Sequence, residues 1–467
     1  MDTTKRLEPP EQLLGALRRK LGSQAVLIGT DVPPRNCNDR SGSLPRTPLA
    51  VVRPLDAAGV SEAITACRKA GLSFVPQGGL TGHCGGAVPE PGWVAISLER
   101  MVGIEEIDRA SATLTVKAGT PLETVQKAAD EAALFFPLDL GSRSSCAIGG
   151  NVSTNAGGNR VIRYGMTREL VLGLEVVLPD GTIITNLNKL PKNNAGYDLK
   201  HLFIGSEGTL GIITRVVLRL FPKPQSTMAA LCGVADYAAI IALLDSARRG
   251  LGPLLSAFEV MWPDYWEVIT TSAGVRPPLG GRHGLYVLVE ARGSDERVDA
   301  QQFEAWLEGL MGHGVLTDAA VAQSLAQTQA FWSLRECAEL GQVIGPRVSY
   351  DIGLAVARMD EFVRLCKPSL TAGIPGCDSA HFGHIGDGNL HLVAWVKGLP
   401  VQPKAAMDAI VYGLVRNMGG SISAEHGIGT LKKQWLGYAR SAGEIALMRT
   451  LKSALDADHL LNPGKVI

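Results

Sequence analysis

Residues 381–391 read HFGHIGDGNLH, and residues 423–433 read SAEHGIGTLKK. Imidazoles and carboxylates are the side chains that bind divalent cations and move protons near neutral pH. In the first stretch Asp387-Gly388, flanked by apolar residues, predicts a two-residue hairpin turn. Counting outward from that turn, His384 and His391 are expected directly opposite each other, on one face, with Cβ atoms about 4.5–5.5 Å apart. So placed, two imidazoles can share a metal, although cross-strand histidines also occur as plain polar pairs. His381 points to the other face, where a hydrogen-bonded packing role suits it. Glu425 is a candidate third ligand, with His426 directly after it. Two histidines and a carboxylate leave one position open, the arrangement of a catalytic rather than a structural Zn2+. Mn2+, Co2+ and Fe2+ suit the same donors. The plainer reading of Glu425-His426 is a helix-entry carboxylate beside a surface histidine.

These groups need elements to hold them. A helix over 10–21 repeats Leu13, Leu14, Leu17 and Leu21 at helical spacing, and a polar, Pro-rich stretch follows to Pro48. Next comes α/β patterning: LAVVRP as a strand, a helix facing inward with Val60, Ile64 and Cys67, and LSFVPQGG as a strand. WVAISL and TLTVKAG are strands, LETVQKAADEAA a helix, and LVLGLEVVLPDGTIIT a hairpin on a Pro-Asp-Gly turn. An apolar strand and two prolines (210–225) set a boundary near 225. Beyond it GLYVLVEARG reads as a strand and DERVDAQQFEAWLEGLM as a helix, and helices at 404–418 and 442–456 lead to LNPGKVI. The domains expected are an N-terminal helical appendage (1–45), an α/β domain (46–225), a substrate domain carrying the metal site (226–420) and a C-terminal segment (421–467).

Composition narrows the classes. Lys+Arg and Asp+Glu are both 45, so no net field draws the chain to nucleic acid or an anionic membrane. No run approaches the roughly 20 apolar residues that span a bilayer, and residues 1–22 have no apolar signal core. The eight cysteines show no CxxC pair, which suits reduced thiols. A soluble, cytoplasmic protein is expected.

Glycine is the informative excess, 54 of 467, and it concentrates in loops. PQGGLTGHCGG (76–86) has neither the GxGxxG spacing of nicotinamide folds nor the GxxxxGK[ST] of a nucleotide-triphosphate loop. It does offer a run of unobstructed backbone amides, the local requirement for wrapping a pyrophosphate. GSRSSCAIGGNVSTNAGG (141–158) and IGSEGTLGIIT (204–214) repeat the pattern.

Together with NPGK near the C-terminus, these loops resemble the FAD-binding domain of the vanillyl-alcohol oxidase superfamily, in its D-2-hydroxyacid dehydrogenase branch, from about residue 45 onward. HFGHIGDGNLH and SAEHGIG resemble motifs of the same branch. The fold implied is α+β: a PCMH-type two-subdomain FAD-binding domain, an α+β substrate (cap) domain with an antiparallel sheet, and a C-terminal helical segment returning to the FAD domain. Carried over, Gly78, Gly79, Thr81 and Gly82 meet the pyrophosphate. Gly141, Ser142, Gly149, Gly150, Ser153, Gly205, Glu207, Gly208, Ile212 and Asn462 line the rest. Some relatives attach flavin through a histidine, but the matching position holds Leu80 or Thr81, so non-covalent FAD is implied.

In this branch the metal ligands match His384, His391 and Glu425, the general base matches His426, and the arginine that grips the substrate carboxylate matches Arg335. The plainer reading of Arg335 is a solvated helix-face residue paired with Glu339. Relatives that oxidise D-2-hydroxyglutarate typically carry lysine at 349 and asparagine at 393, where this chain has Ser349 and Val393. Arg347 offers a compensating charge for a second carboxylate; otherwise an apolar or aromatic tail, as in D-mandelate or a longer D-2-hydroxy acid, is equally implied, and D-lactate stays in range. Electrons then pass to an electron-transfer flavoprotein, a cytochrome or a quinone, in a chain compatible with a homodimer. Left open are a flavin-free metallohydrolase or lyase, a non-catalytic metal or nucleotide binder, and an oxygen-using oxidase.

Overall fold

A computed structural model describes residues 9–272, 276–336 and 340–467; Cys337 and Glu339 lie outside the described residues. The chain divides into two units, one formed by Met1–Gly158, Gly165–Lys223 and Glu425–Ile467, the other by Asn159–Tyr164 and Pro224–Ala424. The cuts fall after 223 and after 424, against the expected 225 and 420, and a six-residue excursion at 159–164 joins the second unit.

In the first unit a four-stranded sheet runs Val26–Ile28, Ala50–Val52, Val94–Ser97, Phe74–Gln77. Its last three strands are parallel and read as near-continuous apolar runs, because both faces are covered. Helix Ala57–Ala70, capped by Asp56 accepting the Gly59 N–H at 2.8 Å, buries Val60, Ile64 and Cys67. The N-terminal segment is part of this architecture. Helix Pro10–Leu21 buries Leu13, Leu14 and Leu17, and Val26–Ile28 pairs antiparallel with Ala50–Val52. A stripe of three leucines needs a surface to cover, and this sheet edge needs a strand.

A second, five-stranded antiparallel sheet runs Ile104–Asp108, Thr113–Lys117, Ile212–Arg219, Val171–Val177, Ile183–Asn186. The C-terminal segment returns to the first sheet, where the Phe74 N–H meets Leu460 O at 2.8 Å and the Asn462 N–H meets Phe74 O at 2.7 Å.

The second unit holds a seven-stranded antiparallel sheet in the order Asp318–Val321, Ser226–Val234, Leu285–Gly293, Leu255–Met261, Cys377–Gly383, Asn389–Val396, Val348–Gly353. Helix Leu325–Glu336 lies on one face, where Phe331 and Leu334 join Met261, Tyr265, Leu288, Val393 and Trp395 in one apolar cluster. Among the described residues, Cys37, Cys67, Cys84, Cys146, Cys232, Cys366 and Cys377 form no disulfide, and no helix is long and apolar enough to cross a membrane.

Candidate active site

In the second unit the histidine turn is longer than the sequence predicts. His391 pairs with Phe382, not with His384. Strand Cys377–Gly383 stops before His384, whose carbonyl accepts the N–H groups of both Asp387 and Asn389, each at 3.2 Å. Ile385–Asp387 form a 3-10 turn and Gly388 closes it at φ +88°, so four residues, 385–388, separate the facing pair His384 and Asn389. A two-residue turn is thus corrected, yet the imidazoles still meet: the His384 and His391 rings are 5.1 Å apart between centroids and nearly perpendicular. His381 faces the other way and bonds Asp264 through Nδ1 at 2.6 Å.

Behind His384 stands a residue that the motifs do not reveal. Glu259, fully buried on strand Leu255–Met261, accepts from His384 Nδ1 at 2.6 Å and from Arg335 Nε at 2.7 Å. With Nδ1 bonded to a carboxylate, His384 presents Nε2 as its donor, the tautomer that a metal requires. Burial pushes the Glu259 carboxyl up, but the His384 and Arg335 charges and their hydrogen bonds outweigh it and hold it below the usual range. Arg335 is therefore not a solvated helix-face residue. It is 6% exposed, lies 4.7 Å over the Phe382 ring, and reaches toward His384 Nε2 at 3.5 Å. One turn earlier, Trp332 Nε1 bonds buried Glu290 at 2.9 Å, so two buried glutamates seat this helix. The sequence signal was available: a carboxylate inside the apolar run LSAFEVM must find a partner.

Ser349 and Val393 are direct cross-strand partners, and the next pair on that face is Asp351 and His391. Val393 is buried among Ala380, Met261 and Trp395, with Phe382 against the cluster, so the wall beside His391 is apolar. Arg347 is exposed, with Nη1 2.7 Å from where a Cβ on Gly341 would stand. Buried Asp351 accepts from Asn389 Nδ2 at 2.8 Å, and its carbonyl accepts the Ala424 N–H at 3.3 Å. Ala424 is the last residue of this unit.

In the first unit the glycine-rich loops are knitted together. A side chain on Gly79 would collide with Ser145 O of the second loop. Gly141 and Ser142 begin the turn that leads to helix Ile148–Thr154, on which Gly149, Gly150 and Ser153 lie. The third loop bonds back to this helix, Gly205 N–H to Val152 O at 3.1 Å and Glu207 N–H to Ser153 O at 2.7 Å. Gly208 follows and Ile212 starts the next strand. Asn462 Nδ2 ties the first and third loops through Gly86 O (3.1 Å) and Glu207 O (3.2 Å), while its buried Oδ1 meets no protein donor among the described residues.

These loops fit FAD. Among the described residues, no protein acceptor takes the backbone N–H of Gly78, Gly79, Leu80, Thr81 or Gly82. Leu80 stands at φ +61°, a strained conformation of the kind that curls successive amides into an anion-binding nest.

Glu425 opens the returning segment of this unit, one peptide bond after Ala424, and its carboxylate accepts the Gly158 N–H at 2.6 Å. It lies in a loop rather than at a helix entry. His426 is half-buried, its ring 4.7 Å from the His83 ring. The following residues are fixed by both outer glycine loops. Thr430 N–H bonds Cys84 O at 2.8 Å, and Glu207 accepts the N–H groups of Ile428 (2.7 Å) and Gly429 (2.8 Å).

Comparison with known proteins agrees with this architecture. Residues 48–186 match the model of an FAD binding domain, and residues 223–466 that of FAD linked oxidases, C-terminal domain. A crystal structure of p-cresol methylhydroxylase with substrate bound superposes with a TM-score of 0.77 at 17% identity, covering 99% of this chain and 98% of that one. The fold is that of a PCMH-type flavoprotein.

Within that class the chain belongs to the FAD-linked oxidase family, in its D-2-hydroxyacid dehydrogenase branch. It is 40% identical over 418 residues to the D-2-hydroxyglutarate dehydrogenase, mitochondrial, of Arabidopsis thaliana, covering 89% of this chain and 74% of the relative. To the protein of the same name from Bos taurus it is 36% identical over 461 residues, covering 98% and 84%. The flavin-free readings fall away. The cytoplasmic expectation is corrected too, since these relatives are named mitochondrial. Net charge and cysteine spacing describe a folded domain, whereas the compartment is set by targeting segments that receptors read.

Proposed function

We propose that the protein oxidises a D-2-hydroxy acid to the 2-oxo acid, with His384, His391 and Glu425 holding one divalent cation, Zn2+ by its donor set. The observation that carries this reading is the buried chain from Arg335 through Glu259 to His384, which sets a carboxylate-binding cation beside an imidazole prepared as a ligand. Support for the third ligand comes from chain continuity: Ala424 is bonded to the cross-strand partner of His391, and Glu425 is the next residue.

The cation supplies a Lewis acid that lowers the pKa of the substrate hydroxyl, and FAD supplies a two-electron acceptor. Arg335 grips the carboxylate of the acid. His426 would take the hydroxyl proton, and FAD held by the glycine-rich loops would supply the acceptor for the hydride from C2, so that the alcohol gives up two electrons and two hydrogens. His384 and His391 would hold the cation against which the hydroxyl oxygen is oriented. Electrons then leave for a protein or quinone acceptor.

For the tail of the substrate, the Ser349–Val393 pair carries the argument. A cation and an amide at those positions would serve a second carboxylate; a hydroxyl and an isopropyl group inside an apolar cluster serve an uncharged tail. We therefore favour D-2-hydroxy acids with apolar or aromatic tails over D-2-hydroxyglutarate. The test is to mix the yellow protein anaerobically with D- and L-2-hydroxy acids of both kinds. Bleaching by D-acids, fastest with apolar tails, is expected; bleaching by L-acids or by none contradicts the reading.

A further inference from the structure

We propose that Glu207 is a positioning residue for the reaction: its carboxylate fixes the backbone of residues 428 and 429 and so aims His426. This rests on the reading of His426 as the base. Resemblance assigns Glu207 to the cofactor, but its geometry points elsewhere. Both oxygens are spent on the chain, Oε1 on the Ile428 N–H at 2.7 Å and Oε2 on the Gly429 N–H at 2.8 Å.

The residue is held in place to do this. Its own N–H bonds Ser153 O at 2.7 Å, its carbonyl accepts from Asn462 Nδ2 at 3.2 Å, and its backbone stands at φ +53°. A non-glycine residue keeps that conformation only where its surroundings over-determine it. Charge-assisted bonds to backbone amides are among the stronger ones. Burial pushes the carboxyl up while the two amides and the Lys432 charge pull it down, with the net effect upward. Cys84 reinforces it from the first loop, its carbonyl taking the Thr430 and Leu431 N–H groups at 2.8 and 3.2 Å and its Sγ 3.2 Å from Gly427 O. His426 thus stands immediately before five residues, 427–431, whose backbone is tied to Glu207 or Cys84. A general base misplaced by about 1 Å loses about 10²-fold in rate. Fixing the following backbone is how a loop without regular structure meets that tolerance.

The test uses the holoprotein saturated with FAD. Glu207→Gln keeps one acceptor and opposes the other amide with a donor; Glu207→Asp keeps the charge but is one methylene too short. Both are expected to retain FAD and to slow anaerobic bleaching per bound flavin by about 10- to 100-fold at saturating D-2-hydroxy acid, with KM within about threefold of wild type. Wild-type bleaching per bound flavin in these variants, with only FAD content or melting temperature lowered, overturns the inference. Should neither variant fold, hydrogen exchange on the wild-type holoprotein decides: protected Ile428 and Gly429 amides are expected, and exchange at free-peptide rates overturns the clasp. His426→Ala run beside them keeps the two claims apart. If it bleaches like wild type, the base assignment fails; if it is slow while the Glu207 variants are unimpaired, the positioning role fails alone.

Discussion

Glu259 Oε1 and His384 Nδ1 lie 2.6 Å apart, and both side chains are buried. A carboxylate at that nitrogen fixes the tautomer and raises the basicity of the other one. Glu259→Gln is expected to weaken Zn2+ binding by about 10- to 100-fold in a chelator-competition titration, with FAD content unchanged. Unaltered metal affinity would show that the pair serves packing only.

Arg335 shares the same carboxylate. Arg335→Lys keeps the charge but loses the fork geometry, and losing one charge-assisted bond worth about 1.5–3 kcal/mol should lower kcat/KM by about 10- to 150-fold. Arg335→Met leaves a buried charge without its guanidinium and is expected to destabilise the fold by about 3–5 kcal/mol in denaturant melts. Full activity of the lysine variant would remove Arg335 from the substrate site.

The opposed pair Ser349 and Val393 makes substrate choice a two-residue property. The double variant Ser349→Lys, Val393→Asn is expected to shift kcat/KM toward D-2-hydroxyglutarate by at least about tenfold relative to an apolar D-acid, the yield of one new charged contact. An unchanged ratio would place the tail elsewhere.

Glu175 gives a pH dependence of stability that is separate from catalysis. Burial pushes its carboxyl up, but the Arg215 fork, at 2.9 and 2.6 Å, together with Thr214 and Thr185, holds it below the usual range. A depressed folded pKa adds stability above the unfolded value of about 4.3 and loses it as pH falls through the folded one. Glu175→Gln should therefore melt several degrees below wild type at pH 7, with the gap closing toward pH 3. A gap that persists at pH 3 assigns the loss to shape.

Much of this was legible in the chain. Apolar runs bounded by turn residues placed the strands at 94–97, 113–117 and 285–293, which are buried almost throughout, and helical spacing placed the helices at 57–70 and 296–312, each with one buried face. The register of the histidine turn was not, since Asp-Gly serves both two-residue turns and longer loops with glycine in the left-handed position. Nor were Glu259 or the clasp of Glu207, because their partners lie 76 to 222 residues away in sequence. Spacing rules see only near neighbours; a buried carboxylate declares that it has partners but not which.

The most direct test of the cation-assisted oxidation is a single mixing experiment. The FAD-loaded protein is stripped of metal by chelation, verified by elemental analysis, and mixed anaerobically with a D-2-hydroxy acid that bleaches the untreated sample. The result expected is a flavin that stays yellow until Zn2+ is returned and then bleaches at the original rate. Bleaching at full rate with no metal present would contradict the account.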